Sequence, residues 1–165
     1  MKKIKFNLGC AEDIKISTDT DEWINIDLFP IAPGVIQANA LELPFKDNVA
    51  LEILASHFVE HLELIEIYVA FKEWHRVLHR DGKLIIIVPD MDIISSRWNS
   101  APLEMKLGWW NGAIFGSHRG PFQTHKIGLN AAILSKILGD TDFYVDKISH
   151  NTTWDFWLEV VAGKL

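Results

Sequence analysis

Gly9 and Asp27 stand 18 positions apart, and each closes a short apolar run, Ile4-Lys5-Phe6-Asn7-Leu8 and Trp23-Ile24-Asn25-Ile26. A glycine at a sharp turn lets the backbone approach a ligand closely, and a carboxylate at the tip of a neighbouring strand can accept hydrogen bonds from both hydroxyls of a ribose. The spacing is close to the ~20 residues between a nucleotide-binding glycine turn and its ribose-binding acid. Asp also ends strands for reasons of turn chemistry alone. A second set is His57, Glu60 and His61, followed by Asp90 after Val88-Pro89 and by His118 and His125 in a glycine-rich stretch. Imidazoles titrate near neutrality and can take a proton from an acceptor hydroxyl or amine. His57, His118 and His125 are the base candidates, whereas His61 reads first as a loop anchor bonded to backbone. Cys10 is the only cysteine, which excludes an internal disulfide and a cysteine-built zinc site, and no metal ion is expected.

These residues need elements to position them. Ile4–Leu8, Trp23–Leu28, Val35–Ala38, Val49–Ala55 and Leu84–Val88 read as strands, the last a continuous apolar run suited to the centre of a parallel sheet. Ala11 to Glu22 carries five acids against one lysine and is too short and too rich in Asp, Ser and Thr for a full helix. Glu63 to Arg80 predicts a helix with Leu64, Ile67, Phe71, Trp74 and Leu78 on one stripe and Gly82 beyond its end. Asp92 to Gly128 reads as irregular. Asn130 can cap a helix whose inner face is Ile133, Leu134, Ile137 and Leu138. Phe143–Ser149 and Thr153–Val161 predict a closing antiparallel hairpin. Strands alternating with helices give a single three-layer α/β/α sandwich over residues 1–165, in which ligands bind outside the carboxyl ends of the strands.

Composition narrows the function. At 165 residues and 48% hydrophobic content the chain can bury one real core. It has neither a membrane-length apolar run nor a basic-then-apolar leader at Met1-Lys2-Lys3, so a soluble, cytoplasmic protein is expected. A formal charge of −6 disfavours a broad phosphate-binding surface and hence a nucleic-acid partner. Seven tryptophans need burial, a ligand or a partner surface, and a homo-oligomer is one way to cover them.

The ordered set Phe6-Asn7-Leu8-Gly9-Cys10, Trp23-Ile24-Asn25-Ile26-Asp27, Asn39-Ala40-Leu41-Glu42-Leu43-Pro44-Phe45, Ser56-His57-Phe58-Val59-Glu60-His61-Leu62, Arg76 to Leu84 and Val88-Pro89-Asp90 resembles the class I S-adenosylmethionine-dependent methyltransferases. The resemblance covers nearly the whole chain and is closest to compact members that start at the first strand. It implies a Rossmann-like sheet of seven strands with an antiparallel C-terminal pair, and S-adenosyl-L-methionine as cofactor. By that resemblance Asn7, Gly9, Cys10 and Ala11 would lie along the methionine portion of the cofactor. Asp27 would hold the ribose hydroxyls, Asn39 and Ala40 would meet the adenine edge, and Ser56 and His57 would approach the sulfonium and the acceptor. The glycine turn departs from the family pattern in retaining one glycine, and Glu12 would have to point to solvent.

Methyl transfer from a sulfonium is an in-line displacement that asks mainly for alignment and exclusion of water, so the lack of an obvious catalytic constellation is compatible with it. Gly108 to Phe122, within an insertion over 92–128, is expected to form an acceptor lid whose Trp109, Trp110 and Phe115 either meet the ligand or cover the sheet. The acceptor class expected is a small molecule or glycan. The alternative is a cofactor-binding or protein-interaction module on the same fold without catalysis. A nicotinamide-dependent oxidoreductase is disfavoured because Cys10-Ala11-Glu12-Asp13 lacks the fuller glycine fingerprint. A nucleic-acid methyltransferase is disfavoured by the charge and by Ser56-His57-Phe58-Val59 after the fourth strand.

Overall fold

The computed structural model describes residues 2–117, 122–152 and 156–165. Seven strands form one mixed sheet in the order β3-β2-β1-β4-β5-β7-β6. They are β1 (Lys3–Leu8), β2 (Asp21–Asp27), β3 (Ile36–Gln37), β4 (Ala50–Ser56), β5 (Leu78–Pro89), β6 (Phe143–His150) and β7 (Trp157–Lys164). The first five are parallel neighbours, and β7 runs antiparallel between β5 and β6. The expected Rossmann-like sheet and terminal hairpin are therefore borne out. The hairpin's second strand starts later than expected, and Thr153 to Asp155 lie outside the described residues.

The helices are α1 (Leu64–Val77), α2 (Met91–Trp98), α3 (Leu103–Met105), α4 (Asn111–Phe115) and α5 (Ala131–Asp140), with a π turn over Lys106–Trp110 joining α3 to α4. Helix α1 starts with a capping box, in which Glu63 and Glu66 each bond the other's backbone amide. It ends three residues sooner than the sequence predicted. Leu78 already pairs with Ala50, so sheet pairing overrides local helix propensity there. Gly82 lies in β5 rather than capping the helix, and a Cβ on it would stand 2.9 Å from the Ala50 carbonyl oxygen. The buried stripe is Ile67, Ala70, Phe71, Trp74 and Val77, while Leu64 is exposed. Asn130 caps α5 through Ile133 N as expected, although Ile133 itself is partly exposed. The irregular reading of 92–128 is corrected: α2 and the run from α3 to α4 are helical. Asp90 nucleates the first of these by accepting from Asp92 N and Ile93 N.

The faces of the sheet are covered unequally. Phe6, Leu8, Ile53, Leu84, Ile86 and Val160 share one cluster with residues of both α1 and α5. The opposite face carries Asn7, Leu54, Ile85 and Val161 in register. No helix joins β1 to β2; instead the Asn7 amide donates to the Asp13 carbonyl at 2.6 Å and to Asn25 Oδ1 at 2.9 Å, and Asn25 exchanges hydrogen bonds with the Lys15 backbone. Two buried asparagines thus strap the connection onto the sheet.

Two histidines tie stability to pH. Burial, then the Lys164 ammonium, holds His75 below its usual 6.5, and burial does the same for His125. The unfolded chain therefore takes up protons more readily as pH falls through 6.5. Stability should be flat above that value, decline below it, and level off beneath the folded pKa values. Urea midpoints at about pH 7.5 and about pH 5.5 measure the drop, and His75→Phe should shrink it.

Candidate active site

Gly9, Asp27, Asn39 and Ser56-His57 all lie at the carboxyl ends of adjacent strands, where Leu8 pairs with Ile26 and Ala55, and Asp27 with Gln37. Asp27 closes this edge. Its Oδ2 accepts from Ala11 N at 2.9 Å and its Oδ1 from Phe29 N at 2.8 Å. Each carboxylate oxygen keeps a second acceptor site, so the group can both clasp the turn after β1 and accept a diol. Ala11 is in the left-handed region at φ 42°, and the adjacent Glu12 is exposed to solvent.

Gly9 has φ +60°, and a Cβ built on it would meet Phe58 Cδ2 at 2.2 Å. Close approach at this turn thus serves the protein's own ring as well as any ligand. Cys10 is buried, and burial pushes its thiol above the usual value, which keeps it neutral. Asn7, expected along the cofactor, has its amide committed to Asp13 and Asn25.

Asn39 is exposed; its Oδ1 accepts from Leu41 N, and its amide NH2 has no partner among the described residues. Helix α1 fixes the loop that follows. Trp74 Nε1 donates to the Ala40 carbonyl at 2.9 Å, Glu73 accepts from Leu43 N at 2.7 Å, and Arg76 reaches the carbonyls of Leu43 and Phe45. Arg76 also pairs with Glu73 and Asp47, which raises its already high pKa.

His57, at φ 51°, donates its backbone N–H to the Ile87 carbonyl. It lines a cavity of about 410 Å³ with Pro89, Trp109, Gly112, Ala113, Ser117 and His125. Trp109 reaches this cavity from the π turn, a wide turn often found at functional sites. Trp110 is buried instead, stacked on Phe156 with ring centroids 5.2 Å apart. Phe115 is half exposed. His118 lies outside the described residues. Gly108 and Gly112 sit in helical backbone with open space around them. Of the glycines described between 108 and 117, only Gly116, at φ +83° against the Gln123 carbonyl, needs its lack of a side chain.

Three features were not drawn from the sequence. Glu60 is buried although His57 and His61 flank it, and His61 and His125 meet edge to face with centroids 5.0 Å apart. Asp90 is fully buried and sits 2.6 Å from His150 Nδ1. Nothing in the sequence around His150 signalled that pairing, because the two residues are brought together only when β7 inserts between β5 and β6.

Residues 14–86 match the sequence model of a methyltransferase domain. An uncharacterized protein of Methanocaldococcus jannaschii is 38% identical over 64 residues, 39% of this chain and only 27% of that protein, so the match spans about a quarter of its length. Among solved structures, the 1,6-didemethyltoxoflavin-N1-methyltransferase of Burkholderia thailandensis, with 1,6-didemethyltoxoflavin and S-adenosylhomocysteine bound, superposes with a TM-score of 0.66. It is 12% identical and aligns over 99% of this chain and 71% of its own. A S-adenosylmethionine-dependent methyltransferase of Methanosarcina mazei gives a TM-score of 0.65 at 17% identity, over 99% and 93% of the two chains. The resemblance drawn from the sequence motifs is borne out by the family match and the shared fold.

Proposed function

The chain has the fold of the class I S-adenosylmethionine-dependent methyltransferases, and from that premise we propose that it moves a methyl group from S-adenosyl-L-methionine to a small-molecule or glycan acceptor. The observation that carries this reading is Asp27. It lies at the tip of β2, beside the Gly9 turn and one strand from Asn39, with an acceptor site left on each carboxylate oxygen. The residues fit the cofactor. Asn39 has an uncommitted amide to offer an adenine edge, Asp27 can take a ribose diol, and the exposed Glu12 leaves the turn free of a buried opposing charge.

The bound sulfonium would supply an already activated methyl group. The protein's part is then alignment and exclusion of water. His57 and His125 line the cavity and would receive an acceptor proton, and burial keeps His125 neutral as a base requires. His118 remains a third candidate from the sequence. The helical run from α3 to α4, within the 92–128 insertion, would act as the acceptor lid, with Trp109 and Ala113 facing the cavity.

Calorimetry with S-adenosylmethionine, S-adenosylhomocysteine and NAD tests the reading. Saturable binding of the first two without NAD is expected; NAD binding alone would overturn it. The Phe58 ring over Gly9 favours one alternative, a cofactor-binding module without turnover. Methylation of no member of a broad acceptor panel, despite cofactor binding, would support that alternative. For the lid, hydrogen exchange over 103–115 should slow on adding cofactor and acceptor together. Equal exchange in both states would remove the lid. Normal turnover by His57→Ala, His118→Ala and His125→Ala would leave alignment alone as the source of rate.

A further inference from the structure

Glu60 is the anomaly of this edge. Its side chain is 2% exposed, yet among the described residues neither carboxylate oxygen accepts a hydrogen bond, and His57 Nδ1 stands 3.4 Å from Oε1. A buried carboxylate in that state is costly unless an ion or a strong donor compensates it. One ligand atom each from Glu60, His61 and His125 lie within 4.8 Å of one another.

One of the two imidazoles is already oriented for ligation. His61 Nδ1 donates to the Thr124 carbonyl at 3.1 Å, which leaves its Nε2 as the lone-pair nitrogen. An imidazole whose one N–H is fixed by a carbonyl is the usual arrangement behind a metal-bound histidine. The frame is tied as well. Lys126 N bonds the Glu60 carbonyl at 2.8 Å and His125 N bonds the Phe115 carbonyl at 3.0 Å, which holds the 122–128 segment against the turn after β4.

We propose that Glu60, His61 and His125 form a binding site for a divalent first-row transition cation of the zinc class, with its open coordination positions facing the cavity that His57 and Trp109 line. Two imidazoles and one carboxylate suit such ions, and three protein ligands leave room for an exogenous one. Tetrahedral ligands at about 2.1 Å from an ion stand roughly 3.4 Å apart, so loading requires the half-buried histidines to close by about an ångström. The exogenous ligand would be an oxygen of the acceptor. That last part rests on the methyltransferase reading; cation binding itself does not. On loading, His125 becomes a ligand, and His57 is left as the cavity base.

The test uses the full chain freed of metal by chelation. Zinc is titrated against a chromophoric chelator, and cobalt is followed by its d–d absorption. One saturable equivalent is expected for each, with the intense cobalt bands of a four- or five-coordinate site. Loss of an outer-shell partner alone weakens such sites about 10–100-fold, so Glu60→Gln and His125→Gln should each weaken binding by more than about 100-fold. His79→Ala, at a half-buried position outside the cluster, should change nothing. In the wild-type chain, nitrogen NMR of labelled histidines should shift on zinc addition at His61 and His125, a readout that needs no variant to fold. No saturable binding, or zinc-induced shifts confined to other histidines, would overturn the proposal. S-adenosylhomocysteine affinity measured on the same samples keeps the two readings separate: its loss alone sinks the methyltransferase reading, and loss of metal binding alone sinks this site.

Discussion

Asp27→Ala is expected to weaken S-adenosylhomocysteine binding by about 1.5–3 kcal/mol, roughly 10–150-fold in the dissociation constant, because hydrogen bonds to a charged acceptor are lost. The structure adds a second contribution. The same carboxylate holds Ala11 N at 2.9 Å and Phe29 N at 2.8 Å, so its removal also frees the turn that would carry the methionine end. Asp27→Asn separates the two. One amide oxygen can still accept from one backbone N–H, but the charge that a ribose diol would meet is gone. Calorimetry on both variants should therefore show Asn close to Ala in affinity and closer to wild type in thermal stability. Unchanged affinity in Asp27→Ala would remove this residue from the site, and the proposed function would lose the observation that carries it.

Gly9→Ala should be strongly destabilising for a change of one methyl group. The new Cβ would lie 2.2 Å from Phe58 Cδ2 and 2.7 Å from Cγ, and the backbone there has φ +60°. Overpacking costs about 1–3 kcal/mol and left-handed backbone on a residue with a side chain about 1–2 kcal/mol more. A loss of roughly 2–5 kcal/mol in urea unfolding is expected. Phe58→Ala in the same chain removes the clash and leaves the backbone strain, so the pair should be strongly non-additive, with the double variant regaining the packing part. Simple additivity would show that the ring moves aside freely, and that Gly9 is present for its backbone angle alone.

The strands around the site were legible because their signal is local. Runs such as Leu84-Ile85-Ile86-Ile87-Val88 state their burial directly, and Asn130 advertises its cap. The helix end at Val77 was not legible, since Leu78 to Arg80 have ordinary helical patterning and are taken into β5 by pairing with a distant strand. The insertion was misread for the opposite reason. Gly108 and Gly112 suggest a loop, but two glycines at about 1 kcal/mol each do not outweigh the burial of Trp110 against Phe156 and Ile94.

By itself the sequence determined the alternation of elements, the family resemblance, and the placing of Gly9, Asp27, Asn39 and His57 at strand ends, because each depends on the periodicity of a few neighbouring residues. Tertiary structure decided which polar groups share a site. The Asn7 amide was committed to the strap over the sheet, Asp90 found His150, and Glu60 was buried near His61 and a histidine 65 positions away. Those pairings follow from strand order and from where one loop crosses another. No local period encodes either, and the free energy of a buried carboxylate is settled only by the atoms that surround it.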